Sequence, residues 1–216
     1  MSFFFSESFN LSSYTTIKVG GVAEYFAEPR SIEEFSYLIK WANLNKQRCQ
    51  IIGAGSNLLI NNIFIKGLVV CTKKMKSLTI EPYSGIVEAE AGVMLPTLSN
   101  ALAKNGLQGG EWAVGIPGTL GGAIYMNAGT GNLSLAKNLI SVKVINNKTH
   151  KKFEIEKKDI NFEYRFSSFQ KNDLTIIFYL QFLYMDYQVH QHMPIMVLSK
   201  YYWKTVLLFV RSIPEF

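Results

Sequence analysis

Two glycine-rich runs hold the residues of this 216-residue chain whose types and spacing could do chemistry. The first reads Ile52, Gly53, Ala54, Gly55, Ser56, Asn57, Leu58, Leu59. The second reads Gly115, Ile116, Pro117, Gly118, Thr119, Leu120, Gly121, Gly122, Ala123, and continues to Met126, Asn127, Ala128, Gly129. Glycine opens positive φ and lets a ligand approach the peptide N–H groups closely. Successive N–H groups in such a loop form a concave anion site. One such run reads best as a tight turn between strands. Two of them, each flanked by apolar sequence, favour a ligand with a diphosphate and a large planar group. A flavin dinucleotide fits that description.

Two commoner nucleotide loops are excluded. A G-x-G-x-x-G fingerprint lies between a strand and a helix. Here Leu58 holds the third glycine position, and Asn61 and Asn62 follow in place of a helical pattern. A Walker loop ends in Gly-Lys-Ser/Thr, and neither run has that lysine.

The elements that must position these runs are legible from periodicity. Residues 23–29 read as a strand closed by Pro29, and Ser31 with Glu34 forms a capping box. The helix it opens places Phe35, Leu38, Ile39 and Ala42 on one face. Residues 49–52 form a short apolar strand that feeds the first run, and 68–72 and 86–91 read as further strands. A second helix has Pro96 in its first turn and Gly106 as its stop, with Leu95, Leu98, Ala101 and Leu102 at helical spacing. Residues 141–145 and 152–155 suggest a hairpin turning at Asn146 and Asn147, followed by a polar-aromatic segment over 159–165 and a strand over 174–183. Strands outnumber helices, and no regular βαβα rhythm appears, which argues for α+β over a doubly wound parallel sheet.

Composition narrows the class. Hydrophobic residues at 48% and charged residues at 18% describe a globular chain long enough for one large or two small domains. The net charge of +6 comes mostly from scattered lysines, read as solvated faces with some attraction for anionic substrates. No aromatic pattern interleaves them, so nucleic-acid binding has no support. The two cysteines, Cys49 and Cys71, read as buried free thiols. His150, His190 and His192 form no metal motif. The apolar start, Phe3 to Phe5, ends at Ser6 without a basic region, and charges interrupt the apolar C-terminal region. The expectation is therefore a cytoplasmic protein with neither signal peptide nor membrane span.

Four stretches together resemble one family. Thr16, Gly20, Gly21 and Ala23 match a Thr-x-x-x-Gly-Gly-x-Ala signature; residues 53–59 resemble a pyrophosphate loop; residues 115–123 with 127–129 resemble a flavin loop; Tyr164, Arg165, Phe166 and Ser167 resemble a Tyr-Arg-x-Ser motif. In this order they resemble the UDP-N-acetylenolpyruvoylglucosamine reductases over residues 10–183. The resemblance implies an α+β, two-subdomain FAD-binding fold of the peptidoglycan reductase and vanillyl-alcohol-oxidase-like superfamily. It implies FAD as cofactor, NADPH as hydride donor, a UDP-sugar enolpyruvyl ether as substrate and a monomer. It also implies that Arg165 polarises the substrate carboxylate and that Tyr164 binds substrate. Without the resemblance, Arg165 reads as a surface ion-pair residue. The division expected is 10–75 and 76–184 for the two subdomains and 185–216 for an unmatched tail. That tail is read as a truncated or frameshifted remnant of a substrate domain. The family's serine motif, of Gly-Ser-x-Phe-x-Asn-Pro type, is absent from the 216 residues, so the resemblance implies impaired turnover. The alternatives are an FAD-binding module without turnover and another oxidoreductase of the same superfamily.

Overall fold

The computed structural model describes residues 5–61, 63–81, 84–171, 174–183 and 185–186, the last two segments as backbone only. The chain divides into a unit from Met1 to Asp186 and another from Tyr187 to Phe216. The second unit, and with it nearly all of the expected tail, lies outside the described residues.

The first sheet has the order β1-β2-β4-β3, from β1 (Ser6–Asn10), β2 (Val22–Ala27), β3 (Cys49–Ile52) and β4 (Phe64–Cys71). Strand β1 runs antiparallel to β2, whereas β2 and β3 both run parallel to β4. Helix α1 (Ile32–Leu44) joins β2 to β3. The Ser31 hydroxyl accepts from the Glu34 N–H at 3.2 Å, but Glu34 reaches one residue past the cap and accepts from the Arg30 N–H at 2.8 Å. The expected stripe of Phe35, Leu38, Ile39 and Ala42 is buried. It packs on Leu68 and Val70 of β4, and on Ile145 of the second sheet. Val69 and Cys71 point the other way, into a cluster with Leu11, Ala23, Phe26 and Ile52. Burial on both faces is why β4 reads as an unbroken apolar run at 68–71. In its first half Phe64 and Lys66 are exposed, and that half carries no such signal.

The second sheet is antiparallel in the order β11-β10-β14-β6-β5. Its strands are β5 (Leu78–Glu81), β6 (Ile86–Ala89), β10 (Leu139–Asn146), β11 (Lys152–Glu156) and β14 (Leu174–Leu183). Between β6 and β10 come α2 (Leu95–Lys104), β7 (Leu107–Gln108), α3 (Leu120–Tyr125), β8 (Gly129–Thr130), β9 (Leu133–Ser134) and α4 (Leu135–Asn138). After β11 a two-stranded hairpin, β12 (Phe162–Glu163) and β13 (Phe166–Ser167), precedes β14, and β15 (Met185–Asp186) pairs with β7. The β10–β11 turn is wider than Asn146 and Asn147 alone, since the Asn146 N–H donates to the Lys151 carbonyl at 3.0 Å. Helix α2 begins with Pro96 in its first turn, and Gly106 takes a left-handed φ of 71° just beyond its end. Among the described residues no helix is long and apolar enough to cross a membrane.

Cys71 is fully buried and Cys49 only half-buried, which corrects the expectation of two buried thiols; both are free. Burial pushes the Cys71 thiol up to about 11 and the Cys49 thiol up to about 12. An unfolded thiol ionises near pH 8.5. The folded state therefore holds protons that the unfolded state has released above that pH. The thiols' contribution is intact below about pH 8.5 and is lost as pH rises through the folded values. The native chain is expected to give almost no thiolate reaction with an aromatic disulfide reagent at pH 8, and two equivalents once denatured. Rapid labelling of the native chain would contradict this environment.

Candidate cofactor site

The first glycine run leaves the carboxyl end of β3, where ligands sit in parallel arrangements of this kind. Two bonds from the neighbouring strand's end fix its start. The Cys71 thiol donates to the Gly53 carbonyl at 3.4 Å, and the Thr72 hydroxyl donates to the Ile52 carbonyl at 3.3 Å. Gly55 has φ of 68°, and a Cβ there would stand 1.9 Å from the Tyr14 carbonyl oxygen. The Thr16 N–H donates to the Gly55 carbonyl at 3.2 Å. Thr15, buried beside it, donates its hydroxyl to the Val19 carbonyl at 2.7 Å. The Thr-x-x-x-Gly-Gly segment is thus the backing against which the first run is pressed.

The second run lies along residues 91–95. Leu95 donates to the Gly118 carbonyl at 3.0 Å, and Leu120 and Gly121 donate to the carbonyls of Val93 and Ala91 at 2.8 Å each. It then turns into α3, whose Leu120, Ala123 and Ile124 are buried. That helix is absent from the sequence reading because two glycines weaken helix propensity. Here burial of three apolar side chains overrides the penalty.

The two runs meet. The Ser56 hydroxyl donates to the Pro117 carbonyl at 2.9 Å. A Cβ on Gly53 would lie 2.2 Å from the Thr119 Oγ1. Thr119 is 2% exposed, and its Oγ1 has no hydrogen-bond partner among the described residues. No described acceptor takes the N–H groups of Ala54, Gly55, Ser56, Asn57 or Leu58, nor those of Gly118, Thr119 and Gly122. Of these residues Gly55 and Thr119 are buried, and buried backbone donors are almost always satisfied. A run of open donors beside an orphaned hydroxyl has the donor set that fits a diphosphate. Other expected members differ: the N–H groups of Ile116, Gly121 and Ala123 are already taken by Ala113, Ala91 and Thr119 carbonyls, and the Ala123 side chain belongs to the core. Gly115, Pro117 and Gly122 are exposed.

Gly53→Ala is expected to push the Thr119 hydroxyl aside. FAD affinity should fall about tenfold, the loss of one hydrogen bond to a charged acceptor, with a loss of stability of about 1–3 kcal/mol because the buried, β-branched Thr119 has little room to turn away. Titration by flavin fluorescence would measure it.

The Tyr-Arg motif sits at the far end of the second run. Arg165 donates from Nη2 to the Gly129 carbonyl at 2.8 Å, with its Cζ 5.4 Å from the Tyr164 ring centroid. Arg165 is half-buried, whereas Tyr164 is 83% exposed. Ser167, fully buried, donates to the Tyr125 carbonyl at 2.8 Å. The supporting residues Tyr14, Thr15, Cys71 and Thr72 escaped sequence reasoning, since only the packing of loop on strand end brings them to the site.

A family model described as FAD binding domain matches residues 23–150. The chain belongs to this family. Both glycine runs of the FAD binding domain fall inside the matched span. Among its relatives, a UDP-N-acetylenolpyruvoylglucosamine reductase from Prochlorococcus marinus subsp. pastoris (strain CCMP1986 / NIES-2087 / MED4) is 71% identical over 173 residues, covering 80% of this chain and 58% of that one. The reductase from Synechococcus sp. (strain RCC307) is 41% identical over 167 residues, covering 77% and 55%. The chain thus spans little more than half the length of these curated relatives. Among solved structures, the UDP-N-acetylenolpyruvylglucosamine reductase of Thermus caldophilus superposes with a TM-score of 0.71 at 25% identity, over 95% of this chain and 69% of that one. An alkyldihydroxyacetonephosphate synthase shares the fold alone, with a TM-score of 0.58 at 16% identity over 78% and 33%. The α+β FAD-binding fold expected from the sequence is the fold of this chain.

Proposed function

We propose that residues 53–58 and 115–123 hold FAD and that the chain acts in the NADPH-dependent reduction of UDP-N-acetylglucosamine enolpyruvate to UDP-N-acetylmuramate, a step of peptidoglycan precursor synthesis. The observation that carries this reading is the contact of the two runs, with open N–H donors on both and the Thr119 hydroxyl unpartnered between them. When bound, FAD supplies the redox chemistry, accepting hydride from NADPH and delivering it to the enolpyruvyl double bond.

The remaining work falls to the chain's own groups. The N–H groups of residues 54–58 offer donors to diphosphate oxygens, and Gly53 and Gly55 keep the backbone narrow enough for close approach. Arg165 gives one of its five guanidinium N–H groups to Gly129 and keeps others for the substrate carboxylate. A fixed cation there stabilises the negative charge that develops on that carboxylate in the transition state. The exposed Tyr164 ring offers the substrate a face beside that cation. The separate sheets support a division into two subdomains near residue 75, although β1 extends the first back to Ser6 and the pairing of β15 with β7 extends the second to Asp186. The same reading makes the protein a cytoplasmic monomer.

The purified chain should show a flavin absorption band or take up added FAD. A colourless chain that binds none would overturn the reading. NADPH oxidation that depends on the enolpyruvyl UDP-sugar separates the reductase from an FAD-binding module without turnover.

A further inference from the structure

The Tyr164–Arg165 turn is built against its own sequence. Glu163 pairs with Phe166 and Phe162 with Ser167, so two residues close the hairpin. Two-residue hairpins favour turns with glycine or asparagine at positive φ, and the first loop residue is left-handed in both favoured types. Here only the second, Arg165, has positive φ, at 54°. An arginine in the left-handed region is disfavoured by its Cβ, so neighbouring groups must hold the turn in place.

Two side-chain amides do so. Asn127 donates from Nδ2 to the Glu163 carbonyl at 2.8 Å, and Gln170 donates from Nε2 to the Arg165 carbonyl at 3.3 Å and the Tyr125 carbonyl at 2.9 Å. Gln170 Nε2 also lies 3.7 Å from the Met126 sulfur, and every other acceptor of the two amides is a carbonyl, so the amide nitrogens must face them. Asn127 itself sits at φ of 44°, in the segment that also supplies the Gly129 carbonyl to the guanidinium. The backbone on both sides of Tyr164 and Arg165 is therefore tied to the end of the second glycine run.

We propose that Asn127 and Gln170 are positioning residues for Arg165: their side-chain amides impose its left-handed backbone and so aim its guanidinium. This rests on the reading of Arg165 as the group that binds the substrate carboxylate. Small misplacement of a positioned group costs large factors in rate or binding, so these amides tune recognition of the enolpyruvyl group without touching it.

The test has two arms. In solution NMR, the chain's four arginines leave few guanidinium signals to assign. The wild-type chain should give a left-handed backbone coupling at Arg165 and a restricted, slowly exchanging guanidinium. Both should be lost in Asn127→Ala/Gln170→Ala, with the single variants intermediate and readable even if the double variant does not fold. Persistence of both signals in the folded variants overturns the inference whatever the function. The second arm compares the Kd of the enolpyruvyl UDP-sugar with that of UDP-N-acetylglucosamine, which lacks the carboxylate. Gln170→Ala should weaken the first about tenfold relative to the second. If Arg165→Met abolishes the preference but Gln170→Ala leaves it, the positioning role is wrong. If Arg165→Met leaves it too, the reading of Arg165 is what fails.

Discussion

Replacing Gly55 by valine is expected to abolish FAD binding and to destabilise the chain by about 2–4 kcal/mol. A branched residue at φ of 68° is strained, at about 1–2 kcal/mol for the left-handed region. Its Cβ would also fall 1.9 Å from the Tyr14 carbonyl oxygen, a backbone atom that no rotamer change can move away. The loop must therefore shift, and the row of N–H groups over residues 54–58 shifts with it. Losing even two charge-assisted bonds at about 1.5 kcal/mol each weakens the flavin about a hundredfold. Flavin titration and urea unfolding measure the two losses separately. Lys148→Ala, at an exposed position of the β10–β11 turn, should leave both unchanged. Equal loss of FAD in the two variants would remove the first run from the site.

Arg165→Met should lower kcat/KM for the enolpyruvyl substrate about 10²–10³-fold relative to the parent chain, the usual loss when one charge-stabilising donor is removed. FAD affinity should change little, because the guanidinium is anchored on Gly129 at the end of the second run, beyond the contact of the two loops. Arg165→Lys should not restore the rate, since a point ammonium lacks the planar fork that grips a carboxylate. Steady-state kinetics beside a flavin titration would decide it. A methionine variant with parental kcat/KM would return Arg165 to the structural role its sequence context suggests by itself.

Legibility followed the range of the interactions. Helices α1 and α2 could be read because their causes are local: a serine cap at Ser31, a proline in the first turn, a left-handed Gly106, and a 3.6-residue apolar stripe. The two glycine runs stand out in the sequence because a loop that takes positive φ, as Gly55 and Gly118 do, favours glycine whatever surrounds it. Which amides stay open could not be read. Those of Gly121 and Ile116 are used up by Ala91 and Ala113, and nothing in the run itself distinguishes them from Gly122. Arg165 was singled out only through its motif; its left-handed turn is set by Asn127, legible as part of the second run but not as a partner of this turn, and by Gln170, which carries no local signal. The pressing of Tyr14 and Thr15 on Gly55 joins residues 40 apart, and only the packed sheet reveals it.

Strand β14 lies between β10 and β6 in the second sheet, yet it is the last of that sheet's strands in the chain. This sets an order on synthesis. Domains fold largely in the order in which they leave the ribosome. A nascent chain that has emerged to Lys171 holds every strand of the first sheet, while β6 and β10 still present open hydrogen-bonding edges to each other across a vacant position. Such edges recruit foreign strands. Nascent chains stalled just short of Leu174 should therefore be the aggregation-prone species and the ones chaperones hold, whereas the first sheet should already resist protease on the ribosome.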